Sequence, residues 1–224
     1  MITKIRLFGF IIFVSSLTSQ NLAAQRVSIC DSIITISDEF IWKYSDTENM
    51  CFLDSAHFYL EEAFLYCHDS NNLILRKLHL FSLKHQYDAA INYLDDCMGQ
   101  LSPIVGMPCF WSNCKNRFLA MKYAYAGDTI KRNEYIYNII KDTEEYLQCN
   151  QQSLDSICVL EDLAAIMRNT LPWVLVQHYY YLNIIDSQEV KNSRIDMLLK
   201  KGYNIGFIEL LNSSYEDFLI FTGF

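Results

Sequence analysis

Apolar side chains recur at helical spacing along most of the chain. Ile74, Leu78 and Phe81 stand at i, i+4 and i+7, the stripe of a 3.6-residue helix that buries one face. The pattern predicts helices over 38–50 and 71–85, each followed by a turn into a second helix, the first of these over 53–66. A third hairpin runs from Asn116 to Ala126, turns at Gly127-Asp128, and continues from Ile130 to Leu147. Pro172 suits the first turn of a helix through about Ile185, Gln188 to Lys200 forms another, and Gly202 suits its C-terminal cap. The apolar end, Gly206 to Phe224, supplies one or two helices that seal the stack.

An internal repeat organises these elements. The segment Leu53 to Ala63 lies 34 residues before Tyr87 to Cys97. Asp54, Ala56, Tyr59 and Leu60 recur as Asp88, Ala90, Tyr93 and Leu94, and the acidic pair Glu61-Glu62 recurs as Asp95-Asp96. In each second helix a small residue lets the paired helix approach, and a bulky one fills the seam. A hairpin of this kind cannot bury its apolar face alone, so its neighbours must stack on it. A further echo, Leu154-Asp155-Ser156, repeats Leu53-Asp54-Ser55.

These residues resemble the tetratricopeptide repeat. Ala56 with Leu60 and Ala90 with Leu94 match its second-helix signature of a small residue and a bulky one four later. The turn Lys84-His85-Gln86-Tyr87-Asp88 looks like the family's inter-helix turn, and Pro103 falls near the expected helix stop. The family's first-helix Trp and Gly are replaced here by Ile74 and Leu78. The resemblance implies an all-α fold: a right-handed stack of antiparallel helical hairpins over 25–170, an α-solenoid, with atypical C-terminal helices over 171–224 packed on the same stack. It also implies a groove that takes a protein or peptide partner, with Trp42, Lys43 and Lys77 as its candidate lining.

Residues 1–24 read as a cleaved signal peptide. Lys4 and Arg6 precede an apolar run beginning at Leu7, and small residues end at Ala23-Ala24. That apolar run is too short for a membrane span, which takes about 20 residues. A lipid anchor at Cys30 is the weaker reading, because bulky Ile29 precedes the cysteine where small residues are required. Export to a periplasm or the extracellular space follows, with no membrane span once the signal is removed. Removing Lys4 and Arg6 takes the formal charge from −8 to −10, a sign that disfavours nucleic acid and anionic membranes.

All eight cysteines lie after the signal, and an oxidising compartment favours disulfides. Cys51 and Cys67 lie at opposite ends of the 53–66 helix, about 24 Å apart at the helical rise, and cannot pair with each other. Cys109 with Cys114, and Cys149 with Cys158, each bracket a short segment and are candidate disulfides. No C-x2-C or H-x3-H spacing occurs, so no metal is expected.

Catalytic motifs are absent: there is no G-x-S-x-G, H-E-x-x-H, phosphate-binding loop or dinucleotide fingerprint. The pairs Glu61-Glu62 and Asp95-Asp96 read as solvated helix edges, since adjacent helical residues diverge by about 100°. The run His178-Tyr179-Tyr180-Tyr181 reads as packed phenol rings rather than as a reaction centre. The expectation is therefore an exported, non-enzymatic interaction module without cofactor. The alternatives are an acidic inhibitor or immunity-type protein that neutralises a basic target, and an enzyme without a recognisable motif.

Overall fold

The computed structural model describes residues 29–67, 70–99, 101, 109–150, 170–203 and 205–213. Among them every regular element is an α-helix, and there is no strand. The segment 1–24 expected to be a signal peptide, the echo at 154–164, Cys158, part of the loop expected over 102–113 and the chain beyond 213 lie outside the described residues. The chain divides into two compact units, Met1–Lys84 and His85–Phe224. That division falls inside the span 25–170 that the sequence groups as one stack.

In the first unit, α1 covers 29–47, α2 is Met50–Tyr66 and α3 is Ser70–Leu83. The break between α1 and α2 is a left-handed Glu48, φ 54°, followed by Asn49, whose side chain accepts from the Cys51 N–H at 3.1 Å. That bond satisfies one of the unpaired amides at the start of α2. Leu53, Ala56, Leu60 and Ala63 of α2 are fully buried with Leu73 and Leu80 of α3. Each buried leucine contributes about 1.5–3 kcal/mol of apolar burial. The small Ala56 has the consequence its size dictates: Ser37 of α1 comes close enough to donate to the Ala56 carbonyl at 2.9 Å, fully buried.

Two further links cross this unit. Arg76 of α3 grips both carboxylate oxygens of Asp38 on α1, at 3.1 and 2.8 Å. A disulfide joins Cys30, near the start of α1, to Cys67, the C-terminal cap of α2. Cys67 thus pairs across the unit and not with Cys51, which is a free, exposed thiol. The bridge also occupies the Cys30 sulfur that a lipid attachment would need.

The second unit contains α4 (Tyr87–Cys97), α5 (Phe110–Tyr125), α6 (Thr129–Cys149), α7 (Thr170–Ile185), α8 (Gln188–Lys200) and α9 (Ile205–Asn212). The α5–α6 turn is the one expected: Gly127 takes φ 75°, a left-handed conformation that costs glycine little. Asp128 then caps α6 by accepting from the Lys131 N–H at 3.0 Å. The sequence places the start of α5 at Asn116, whereas the helix begins at Phe110, because Phe110, Trp111 and Cys114 also turn to the buried side. α8 matches its expected bounds: Ser187 caps its start, and Gly202, φ 82°, ends it. Helices α4 to α7 pack on their chain neighbours, and α9 packs on α7 and α8. Their shared core centres on Ile136, Ile139, Val176, Tyr181, Leu198 and Phe207.

The repeat seen in the sequence has a structural counterpart inside each unit. Leu53, Ala56 and Leu60 are buried, and so are the corresponding Tyr87, Ala90 and Leu94. The repeat extends to charge. On α2, Asp54 holds Lys84, just past the end of α3, and Glu61 holds Lys77 of α3, each at 2.6 Å. On α4, the corresponding Asp88 and Asp95 hold Lys122 and Lys115 of α5, each at 2.5 Å. Acids seven residues apart thus meet lysines seven residues apart on an antiparallel neighbour, once in each unit. Glu61 and Asp95 are therefore ion-pair partners, not merely solvated edges.

Candidate binding surfaces

The candidate groove residues all fall in the first unit, in different environments. Trp42 stands out from α1 with 72% of its surface exposed. Beside it Lys43 is exposed, with Nζ 5.0 Å from the centroid of the Phe40 ring. Lys77 is engaged instead: its ammonium lies 2.6 Å from Glu61 and 5.5 Å from the centre of the Phe64 ring. Lys77 therefore braces α3 against α2, and the exposed pair is Trp42-Lys43. Two apolar residues missed by the sequence reading, Phe58 at 60% and Leu65 at 74% exposure, lie seven residues apart on α2. With Cys51, a further seven residues back, they mark the α2 face opposite the Ala56–Leu60 seam.

The cysteine candidates are not brought together as expected. Cys109 caps α5 and Cys114 is buried within that helix, and both are separate thiols. Residues five apart diverge by about 140° around a helix, so an α5 that starts at Phe110 carries the two sulfurs away from each other. Burial pushes the Cys114 thiol up to about 11. Cys149 is an exposed thiol at the end of α6, and Cys158 lies outside the described residues.

The aromatic run on α7 packs. Tyr180 and Tyr181 are buried in the core of the second unit, with the Tyr180 hydroxyl donating to the Ser213 carbonyl at 3.4 Å. His178 Nδ1 lies 3.1 Å from the Thr143 hydroxyl, and burial pulls its pKa below the ordinary histidine value.

The second unit also has a cavity of about 390 Å³ that the sequence reading missed. Phe110, Asn113, Thr143 and Val174, all buried, form its floor from α5, α6 and α7. Asp142, Glu145, Tyr146 and Cys149 form its rim at i, i+3, i+4 and i+7, a single stripe of α6. That spacing was the available signal. The stripe lies roughly a third of a turn from the Ile136–Ile139–Thr143 face that enters the core, which is why one helix serves both.

The cavity lining offers several acceptors. Asn113 Oδ1 is buried without a hydrogen-bond partner. Asn150 gives one amide N–H to the Tyr146 carbonyl at 2.8 Å, and the Thr143 hydroxyl lies within hydrogen-bond reach of the Ile139 and Ile140 carbonyls, at 2.8 and 2.9 Å, as well as of His178. Burial and the neighbouring Glu145 raise the Asp142 carboxyl above its ordinary pKa, against the pull of Lys141. Burial raises the Cys109 thiol too, and Asp142 and Glu145 add to the effect. A second concavity, of about 510 Å³ at the start of α4, is spanned by its own side chains. His85 Nδ1 meets the Tyr87 hydroxyl at 2.8 Å, its ring stacks on Tyr125, and Lys122 holds Asp88.

Among the described residues, no group of three or more His, Cys, Asp or Glu side chains is placed to hold a metal ion. No described helix is long and apolar enough to cross a membrane. Comparison with family models, with curated proteins and with solved structures finds no match for this chain.

Proposed function

We propose that the chain is an exported, non-enzymatic interaction module built on tetratricopeptide-like hairpins, and that it engages a protein or peptide partner through its first unit. The observation that carries this reading is the set of large apolar side chains left in solvent there: Trp42 on α1, and Phe58 and Leu65 seven residues apart on one face of α2. Tryptophan is among the residue types most enriched at the anchors of protein interfaces. Lys43 beside Trp42 supplies a charge for orientation. The doubled acid–lysine pairing supports the repeat half of the reading, because stacked equivalent units present equivalent contacts to their neighbours.

The test is affinity capture of the mature protein from its own envelope fraction at low and high salt, read by mass spectrometry. A parallel capture uses a Trp42→Ala, Lys43→Ala variant shown by circular dichroism to keep its helix content. A partner held by the wild type at both salts and lost by the variant is the expected result. A partner held equally by both proteins, or none at either salt, overturns it. A basic partner recovered only at low salt and indifferent to Trp42 identifies the acidic-inhibitor reading, which draws on the formal charge of −10 left by signal removal.

A further inference from the structure

We infer that the cavity of the second unit is a binding site for a hydrophobic ammonium: a small organic cation whose apolar part fills the floor and whose N–H groups meet the carboxylates and amide oxygens. Four features converge on that chemistry.

The first is shape and lining. A volume of about 390 Å³ lies within the range of small-molecule sites, which are mostly apolar with a few placed polar groups. Phe110 and Val174 supply the apolar floor. The second is an unmet acceptor. Asn113 is a floor residue with only 6% of its surface exposed, and its Oδ1 has no partner. A buried carbonyl oxygen left unpaired costs about 1–3 kcal/mol, which a ligand N–H recovers only once the Asn113 side chain turns that enclosed oxygen toward the cavity.

The third is charge. Asp142 and Glu145 line the cavity, and among the described residues neither forms a salt bridge, unlike Asp54, Glu61, Asp88 and Asp95, which each hold a lysine. Burial chiefly, and then Glu145, resist ionisation of Asp142, and burial chiefly, with the two carboxylates adding to it, resists ionisation of Cys109. The site therefore carries a negative potential that, among the described residues, only the neighbouring Lys141 offsets, and it repels anions. The fourth is the direction of the remaining hydrogen bonds. Asn150 directs one amide N–H to the Tyr146 carbonyl, which leaves its side-chain oxygen available to a ligand, whereas the Thr143 hydroxyl is held between backbone carbonyls and His178. Tyr146 on the rim and Phe110 on the floor add ring faces that attract a cation.

Fatty carboxylates of the same length are excluded by this reading, because they would place a negative charge against Asp142 and Glu145. Neutral alcohols of that length gain the floor and lose the charge.

Calorimetric titration of the mature protein near neutral pH with n-octylammonium, 1-octanol and octanoate tests the inference, alongside an Asp142→Asn, Glu145→Gln variant. Octylammonium binds the wild type more tightly than octanol, and octanoate does not bind. In the variant, octylammonium affinity falls on the order of 10-fold while octanol changes by less than about 2-fold. On the wild type alone, added salt weakens octylammonium and leaves octanol unchanged. Octanoate binding as tight as octylammonium overturns the inference. So does octylammonium binding that is indifferent to both the variant and salt, which would leave an apolar cavity without charge preference. No binding of either octylammonium or octanol overturns the site itself. The partner-capture experiment reads Trp42 in the other unit, so the two proposals stand or fall separately.

Discussion

Opening the Cys30–Cys67 bridge asks how much of the first unit depends on one covalent link. The bridge ties the start of α1 to the C-terminal cap of α2 across a sequence separation of 37 residues. In the chain-entropy account, closing a loop of that size removes about 4 kcal/mol of unfolded-state freedom at 25 °C. Domains are stable by only about 5–15 kcal/mol in total, so the link is a large share of what holds this unit. A Cys67→Ser variant is therefore expected to melt roughly 8–16 °C below the wild type, if the chain unfolds as one cooperative body. Hydrogen exchange locates the effect. Amides of 29–40 exchange faster in the variant, because Ser37–Ala56 and Asp38–Arg76 are left to hold α1. Cys51→Ser is the control, since that thiol is free and exposed, and its melting point shifts by no more than about 2 °C. A Cys67→Ser protein that melts within about 2 °C of the wild type, with unchanged exchange in α1, refutes the reasoning.

Leu60→Ala and Leu94→Ala remove equivalent, fully buried side chains, and each is expected to cost about 2–5 kcal/mol in urea unfolding, whereas Leu65→Ala at an exposed site costs less than about 0.5 kcal/mol. His79 carries a buried Nε2 without a hydrogen-bond partner, and burial pulls its pKa from 6.5 to about 4. The unfolded chain therefore binds this proton first, and stability falls as pH drops below about 6.5, by about 2 kcal/mol at pH 5. His79→Leu should flatten that slope in denaturant titrations, and an unchanged slope would refute the assignment. Lys84 lowers the Asp54 carboxyl, so this pair stabilises the fold above the unfolded carboxylate pKa of 3.8 and is lost as pH falls through the lower folded value. Lys84→Met should raise the Asp54 pKa toward that ordinary value in an NMR titration, and an unmoved pKa would remove Lys84 as the cause.

Helix identity was legible because it is a local property. The spacing of Ile74, Leu78 and Phe81, the glycine at the α5–α6 turn and the Ser187 and Gly202 ends of α8 each act within a few residues, so the order of amino acids alone determines them. The small-then-bulky pairs Ala56–Leu60 and Ala90–Leu94 were legible for the same reason, and all four are buried. What depends on two distant elements meeting was settled only by the tertiary fold. Cys67 had several cysteines to choose from by sequence, and the approach of α1 to α2 selected Cys30. Lys77 looked like a groove residue until α2 brought Glu61 to 2.6 Å. Cys109 and Cys114 looked like neighbours until α5 began early enough to turn them apart. The cavity needs Asn113, Thr143 and Val174 from three helices, and of its parts only the α6 stripe from Asp142 to Cys149 can be read in one dimension. Periodicity reports which face of a helix is apolar, but closing a loop against its entropy decides which faces meet, and that free energy belongs to the folded chain as a whole.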